Sequence, residues 1–280
     1  MSERARVGNV EIMAFVDIGP NSRQTSQVFP DVPTENWNEY KHTLNEDGDL
    51  PFQMGFFALR VDGKTIIVDT GLGKGPHEAM GGISGQALNN LEKSGIAATD
   101  VDSVLITHLH GDHVGWNITR DGDEIRPTFP NAKYFVPKGD WEHFNQADVL
   151  PNSPHMPASV LPLQDLGVLE IVDDNFSLTP EITTLGTPGH TPGHQSTLIN
   201  SGGEKALIAG DAFHTVAQLE ETDWNVGFDV NKPLAAKTRG ALMDRLESEG
   251  FTVAAGHMVL GSNIGTVSYT HLTLPTILLV

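Results

Sequence analysis

The stretch that decides the interpretation of this chain is residues 107–115, which read Thr-His-Leu-His-Gly-Asp-His-Val-Gly. Within six positions it places three imidazoles and one carboxylate, those of His108, His110, Asp112 and His113. Neutral imidazole nitrogens and carboxylate oxygens are the donors that zinc and similar divalent cations bind in proteins. The stretch therefore predicts a metal site.

The residues before this motif predict how its side chains are arranged. Residues 101–106 form an apolar, β-branched run that predicts a buried strand. Alternate residues of an extended chain point to the same side, so His108 and His110 can bind one ion together. After the following glycine the chain can turn, and Asp112 and His113 then face a second position. The spacing favours two neighbouring metal ions over one.

Three later segments supply further candidate ligands. Each is a strand-like run that ends in a glycine followed by a metal-binding residue type, and the three end residues are His190, Asp211 and His257. A glycine at this place lets the backbone turn tightly and approach an ion closely. Any one of these segments is consistent with an ordinary strand end. Together with residues 107–115, they predict seven ligands that meet at one point.

These motifs resemble those of the metallo-β-lactamase superfamily. The resemblance runs from Val68-Asp69-Thr70-Gly71 through His257 and so covers most of the chain. It implies an α/β fold of the four-layer αββα type, with the metal ions at one edge between two sheets. Asp69 stands at a predicted strand end in Asp-Thr-Gly, and we expect it to orient a metal-binding histidine from behind rather than to bind metal itself, as such carboxylates commonly do.

The resemblance also implies how the seven ligands divide between two divalent metal ions. The first ion is expected on His108, His110 and His190, and the second on Asp112, His113 and His257. Asp211 is expected to bridge both ions together with a hydroxide. Zinc is the expected metal, and manganese, cobalt and iron suit the same nitrogen and oxygen donors.

Such a site predicts hydrolysis. Divalent ions lower the pKa of bound water from 15.7 to about 7 and polarise a carbonyl or phosphoryl oxygen. We therefore expect a dinuclear metal-dependent hydrolase in which a metal-bound hydroxide attacks the substrate and Asp112 or His214 assists proton transfer. The expected substrate is a small molecule, namely an ester, a lactone or a phosphotriester.

His214 bears on the choice of substrate. The acyl-homoserine lactonases, which the Pro-Gly-His-Thr-Pro-Gly-His-Gln-Ser stretch at 188–196 resembles, have a tyrosine at this position. The sequence Gly-Asp-Ala-Phe-His at 210–214, followed by Val216 and Ala217, instead resembles the methyl parathion hydrolase branch. A neutral imidazole can still donate a hydrogen bond to a substrate oxygen. The sequence therefore leaves the substrate open among these classes.

Other activities fit the same ligands. One is a thioesterase like the glyoxalase II enzymes, although their anionic thiol carriers favour basic residues and the acidic composition of this chain is unfavourable for such a carrier. Another is β-lactamase activity as a side reaction. From a different class comes a non-catalytic or redox di-iron domain. It is disfavoured because no ligand is missing, and the di-iron relatives usually carry a glutamate at the position of His110.

Composition limits the partners. The 280 residues carry a formal net charge of −19, which argues against nucleic acid because phosphate binding needs clustered Lys and Arg. There is no cysteine, so disulfides and thiolate ligands are excluded. No signal peptide or run of about 20 apolar residues is found, and we expect a cytoplasmic protein that does not bind membranes. Related hydrolases suggest a homodimer.

We expect one catalytic domain, residues 1–266, because the ligands must meet at a point. Residues 267–280 are predicted to be a non-native tail, because the stretch resembles the translation of a transposon-type sequencing adapter. Residues 19–55 are either a mobile surface loop or a flap at the pocket or dimer contact. The connection 147–167, which carries His155, is a second candidate for the pocket rim.

Local patterns predict further elements and roles. Strands are predicted at residues 10–16, 56–61, 65–69, 133–136, 194–200 and 205–209, and helices at 86–94, 140–146 and 234–249. Asp62-Gly63 predicts a hairpin turn. His194 is expected to have a structural role. Trp116 is either a wall of the substrate pocket or a packed core residue.

Overall fold

A computed structural model describes residues 3–259, 261, 264–268 and 271–273. Its strands are β1 (Glu3–Val7), β2 (Val10–Arg23), β3 (Leu50–Val61), β4 (Lys64–Val68), β5 (Ser103–Leu105), β6 (Ile118–Asp121), β7 (Glu124–Pro127), β8 (Lys133–Pro137), β9 (Leu169–Val172), β10 (Ile182–Gly186), β11 (Gln195–Ser201), β12 (Glu204–Ile208), β13 (Thr252–Ala254), β14 (Ile264–Ser268) and β15 (His271–Thr273). Its α-helices are α1 (Thr25–Val28), α2 (Ala87–Lys93), α3 (Gly111–Val114), α4 (Lys138–Phe144), α5 (Leu161–Asp165) and α6 (Lys232–Glu249).

The strands form two large sheets and one hairpin. The first sheet has the order β1-β2-β3-β4-β5-β8-β9, and the second has the order β10-β11-β12-β13-β14-β15. The pairs β4–β5, β5–β8 and β12–β13 are parallel. Because parallel strands end at the same edge of a sheet, the loops after β5 and after β12 and β13 can gather at one edge of the fold.

Alternating apolar residues bury both faces of the first sheet. In β2, Ile12 and Ala14 point toward the second sheet, whereas Met13 and Phe15 point to the opposite side. The same alternation separates Phe57 in β3 from its neighbours, as expected for a strand in which successive side chains point to opposite faces. One apolar layer therefore fills the space between the sheets, and a second covers the outer face.

Helices complete the outer layers. On the first sheet, Ala87 and Leu91 of α2 pack in the outer apolar layer. On the second sheet, Leu242, Met243 and Leu246 of α6 pack against the outward-facing residues of β12 and β13. The order helix, sheet, sheet, helix confirms the predicted four-layer αββα sandwich.

The segment between β2 and β3 differs from the predicted loop. The strand predicted at residues 10–16 continues to Arg23, and β3 already begins at Leu50. Between them, Trp37 is buried and lies 5.3 Å from the Phe29 ring and 4.8 Å from the Trp224 ring. The interpretation as a mobile surface loop is therefore wrong, because its aromatic residues form a separate core cluster with residues 217–226.

The other predicted elements are observed within a few residues of their predicted bounds. β3 and β4 form the hairpin across Asp62-Gly63, with Val61 paired to Lys64. In the predicted tail, residues 267–268 and 271–273 continue the second sheet as parts of β14 and β15, while residues 269–270 and 274–280 lie outside the described residues. That residues 267–280 are non-native stays a prediction. No helix in the described part of the chain has the length and apolar character needed to cross a bilayer.

Candidate metal centre

The predicted ligands lie on four loops that leave the ends of strands at one edge of the sandwich. Residues 107–113 follow β5, and the other three ligands follow β10, β12 and β13. His108, His113, His190, Asp211 and His257 are buried, and His110 and Asp112 are partly buried. The structure thus brings all seven residues together from four separate loops.

One group of ligand atoms surrounds His110. The Nδ1 atom of His110 lies 3.0 Å from Nε2 of His108 and 3.0 Å from Nε2 of His190. Oδ2 of Asp211 lies 3.3 Å from Nε2 of His190 and 3.7 Å from Nε2 of His108. These four residues offer one ligand atom each, all within 4.8 Å of one another.

A second group adjoins the first. Asp112, His113 and His257 also offer ligand atoms within 4.8 Å of one another. Oδ2 of Asp112 lies 3.6 Å from Nε2 of His257 and 3.9 Å from Nε2 of His113. Asp211 lies between the groups, because its Oδ1 is 3.3 Å from His113 Nε2 and its Oδ2 is 3.1 Å from His257 Nε2.

These residues fit a pair of divalent cations. His113 Nε2 and Asp211 Oδ1 are buried and have no hydrogen-bond partner among the described residues. Buried polar atoms are almost always paired, since leaving one unpaired is costly. A cation between the two atoms would satisfy both. The donors are all imidazole nitrogens and carboxylate oxygens, as zinc and related divalent metals prefer.

The charges of the centre depend on Asp211. Burial raises the pKa of the Asp211 carboxyl, but the surrounding imidazoles, led by His113 and His257, bring it well below its usual range. Burial also disfavours the charged form of His190 and so lowers its pKa, yet hydrogen bonds with Asp211 and Asp229 raise that pKa to about 9. The ionised carboxylate therefore attracts positive charge, whether carried by protons or by metal ions.

Acceptors behind the predicted ligands hold their rings in place. Oδ2 of Asp69 lies 2.9 Å from Nδ1 of His113, and the same carboxylate accepts hydrogen bonds from the Thr107 backbone and hydroxyl. The backbone oxygen of Gln53 lies 2.7 Å from Nδ1 of His257. Both contacts leave Nε2 directed at the cluster. The position of Asp69 agrees with its predicted role behind a ligand.

Asp229 holds the ring of His190 in place from behind, and this residue was not identified from the sequence. Its Oδ1 lies 2.8 Å from Nδ1 of His190, and its Oδ2 lies 3.4 Å from Nη1 of the buried Arg239. The Arg239 side chain is also bound to Thr222 and Asn225. Asp229 is 39 positions from His190, and no local spacing links the two.

Asp140 was also missed, although it joins two ligand loops. Its buried carboxylate accepts hydrogen bonds from the backbone of Leu109 at 2.8 Å, from the Thr191 hydroxyl at 2.9 Å and from the backbone of Gly193 at 2.6 Å. Burial raises the pKa of this carboxyl. Asp140 therefore fixes the loop of His108 and His110 relative to that of His190.

His194 lies under the cluster. Its Nε2 accepts a hydrogen bond from the Asp211 backbone at 2.9 Å, and its Nδ1 lies 3.0 Å from the Thr187 carbonyl oxygen. Burial is the main cause that lowers the pKa of His194 to about 3, consistent with a neutral ring. A Cβ on Gly210 would lie 2.7 Å from His194 Nε2, and the φ of Gly210 is +57°. Glycine is thus required before Asp211.

His214 lies beside Asp211. Its Nε2 is 3.2 Å from Asp211 Oδ2, its ring stacks on that of His257 with centroids 5.1 Å apart, and neither ring nitrogen has a hydrogen-bond partner among the described residues. Burial lowers the pKa of His214 to about 4, so the ring is neutral at pH 7. A neutral imidazole carries one N–H and one acceptor nitrogen.

A cavity of about 470 Å³ opens above the cluster. Among the residues that line it are His110, Asp112, Asp211, His257, Val28, Phe52, Met54 and Phe228. Arg23 and Phe52 come from the segment predicted as a pocket flap, and His155 comes from the predicted rim at 147–167. Trp116 is absent from the lining. It lies in the outer apolar layer of the first sheet and donates to Asp17, which supports its interpretation as a core residue.

The fold and the site define a metal-dependent hydrolase. The family model described as "Metallo-beta-lactamase superfamily" matches residues 56–257, a span that contains all seven predicted ligands. The chain therefore belongs to the metallo-β-lactamase superfamily.

Three proteins that this chain resembles are named as hydrolases or lactonases. The chain is 27% identical over 212 residues to an N-acyl homoserine lactonase from a Bacillus species, covering 68% of this chain and 75% of that protein. The crystal structure of the hydrolase AbOPH aligns with a TM-score of 0.79 at 26% identity, covering 95% of this chain and 92% of that one. AidC, a dizinc quorum-quenching lactonase, aligns with a TM-score of 0.78 at 22% identity, covering 98% of this chain and 96% of that one.

Proposed function

We propose that this protein is a dinuclear metal hydrolase that opens or cleaves a small lactone, ester or phosphotriester, with two zinc ions as its cofactor. One observation carries the proposal. Asp211 lies within 3.3 Å of ligand atoms from His190 in one group and from His113 and His257 in the other. A carboxylate in that position can bind two ions at once, and the lactonase AidC is named as a dizinc enzyme.

The ligand roles follow from the two groups. His108, His110 and His190 would hold one ion, Asp112, His113 and His257 would hold the other, and Asp211 would contribute to both. When bound, the ions supply Lewis acidity that activates water and polarises the substrate's reactive oxygen. Asp69, Asp229 and the Gln53 carbonyl keep the ring nitrogens of their histidines directed inward.

Asp112 is the residue proposed to move a proton. It lines the cavity and is the more exposed of the two clustered carboxylates, with 22% of its side chain accessible against 3% for Asp211. Its Oδ2 faces His257 and His113, so Oδ1 is the atom placed to accept a proton from water and return it to the leaving oxygen. General acid–base catalysis of this kind contributes about 10²- to 10⁴-fold.

His214 is proposed to donate a hydrogen bond to the substrate oxygen that gains negative charge. The ring is buried and neutral, and neither of its nitrogens has a hydrogen-bond partner among the described residues, although Nε2 lies 3.2 Å from Asp211 Oδ2. The ring of Phe228, a residue of the cavity wall, lies 5.5 Å from the His214 ring. A donor that needs no reorganisation stabilises such an oxygen more than water does. This role replaces that of the tyrosine expected at this position in the acyl-homoserine lactonases.

The cavity favours a small substrate with an apolar part. Val28, Phe52, Met54 and Phe228 provide apolar surface next to the ligand cluster. The cavity volume of about 470 Å³ is within the usual range for small-molecule sites. The similarity to N-acyl homoserine lactonases also supports a lactone or ester with an acyl chain.

A substrate panel tests this function. Purified protein loaded with zinc should hydrolyse at least one of an acyl lactone, an aryl ester and a phosphotriester faster than a thioester of matched acyl chain. Asp211→Ala, prepared in the same way, is the control for contaminating activity. Preference for the thioester would favour the glyoxalase II alternative, and no turnover of any substrate by zinc-loaded protein would contradict the proposal.

A further inference from the structure

Arg23 is the only Arg or Lys among the residues that line the cavity over the ligand cluster. It is the last residue of β2 and is partly buried. Apart from Asp112 and Asp211, the lining contains no acidic residue. The lining therefore offers one guanidinium, that of Arg23, in addition to the ligand cluster.

The guanidinium of Arg23 has no hydrogen-bond or ion-pair partner among the described residues. Some cationic side chains, such as Lys64 and Lys232, are paired with a carboxylate. Others, among them Arg126, also lack such a partner in the described part of the chain, but Arg23 is the one that lines the cavity. The charge of Arg23 is therefore available to a ligand in the cavity.

The strand register offsets the backbone of Arg23 from the position in β2 that pairs with Phe52, a residue packed on the ligand cluster. Phe52 stacks on His257 with ring centroids 4.4 Å apart, and it pairs with Asn21 of β2. Arg23 pairs with Leu50, two residues further along the same strand, which is about 7 Å at the usual rise per residue. Apolar wall residues, among them Val28 and Met54, complete the cavity.

We propose that Arg23 binds a carboxylate at the far end of the substrate's acyl chain, so that the preferred substrate is an ester or lactone of an ω-carboxy acid. This inference rests on the hydrolase function proposed above. A guanidinium presents a fork of donors that matches a carboxylate, and the nearby Gln27 side chain also lines the cavity. A single cation suits one negative charge better than a polyanion.

A matched pair of substrates tests the proposal. The pair is the mono-4-nitrophenyl ester of suberic acid and the same compound with its free carboxyl converted to a methyl ester. Zinc-loaded wild-type protein should have a kcat/KM about tenfold higher for the acid than for the neutral compound. Arg23→Gln should abolish this preference mainly by raising KM for the acid, because a contact with the far end of the acyl chain is made equally in the ground state and the transition state.

Three controls distinguish the loss of carboxylate binding by Arg23 from misfolding and from a change in net charge. Arg23→Gln should retain the zinc content and the circular dichroism spectrum of the wild type, which shows that the variant is folded. Arg23→Lys should keep part of the preference. Arg126→Gln makes the same change of net charge at an exposed position outside the cavity and should keep all of it.

Two results would overturn the assignment of Arg23. One is an acid-to-neutral ratio that is equal in wild type and Arg23→Gln while the neutral ester is hydrolysed. The other is the same loss of preference in Arg126→Gln, which would show an effect of net charge alone. If zinc-loaded wild type hydrolyses neither compound nor any substrate of the panel, the proposed function fails and this inference fails with it.

Discussion

At the scale of single residues, the centre depends on Asp211 and on the carboxylates behind its neighbours. Asp211 has ring nitrogens of four histidines within 3.3 Å, those of His113, His190, His214 and His257. Asp69 and Asp229 each fix one ring of this set through the nitrogen that faces away from the cluster. Such outer acceptors set both the orientation and the basicity of a ligating imidazole.

Replacing His214 with alanine should leave both metal ions in place and lower kcat by about a hundredfold, because a hydrogen bond to the charged oxygen is lost. Metal analysis and kinetics on the same preparation would measure the two effects. His42→Ala, at an exposed position, is the matched control. An unchanged rate would exclude a catalytic role, and loss of one ion would instead make His214 a ligand.

Replacing Asp229 with asparagine should weaken metal binding at His190 by about 10- to 100-fold, because the amide is a weaker acceptor for the ring N–H. Competition with a chelator gives the affinity. Asp244→Asn removes a carboxylate from an exposed position of α6 and should have no effect. Equal affinity in the two variants would show that the Asp229 contact does not support the metal site.

The same residues show what the sequence could predict. All seven predicted ligands could be identified from the sequence because each stands in a local pattern, either the dense motif at 107–115 or a glycine at the end of a strand. The folded chain brings them together. Asp140 and Asp229 belong to no such pattern. Their partners on the ligand loops lie 31 to 53 positions from Asp140 and 39 positions from Asp229, and only the folded chain brings them together.

At the scale of elements, the sheets position the site and the helices support the sheets. β5, β10, β12 and β13 all end near the cluster, because β12 and β13 are parallel and the sheets pack face to face across one apolar layer. The extension of β2 to Arg23 was not predicted. Residues 17–23 contain polar residues, a proline and irregular pairing, which hide the periodicity of a strand.

Helix α6 offers a test of the outer layer. Leu246 is 1% exposed and packs with Leu242 and Met243 against the second sheet. Leu246→Ala should lower the free energy of unfolding by about 2 to 5 kcal/mol through lost burial and a cavity. Glu247→Ala, exposed on the same helix, should change it by less than about 0.5 kcal/mol. Chemical denaturation measures both, and equal values would contradict this packing.

At the scale of the whole molecule, the four-layer order was predictable because the resemblance to the superfamily implied it. The aromatic cluster of Phe29, Trp37 and Trp224 was not, since its members are far apart in the chain. That cluster fixes the segment between β2 and β3 over one side of the cavity. The homodimer and the cytoplasmic location stay predictions.

The central claim is that seven side chains from four loops hold two divalent ions. The most direct test is the metal content per chain of zinc-loaded, dialysed protein, with hydrolysis measured on the same samples. We predict two ions per chain in the wild type, and loss of metal together with loss of turnover in His108→Ala and Asp211→Ala. Full turnover in either variant, or in wild type that retains fewer than two ions, would contradict the account.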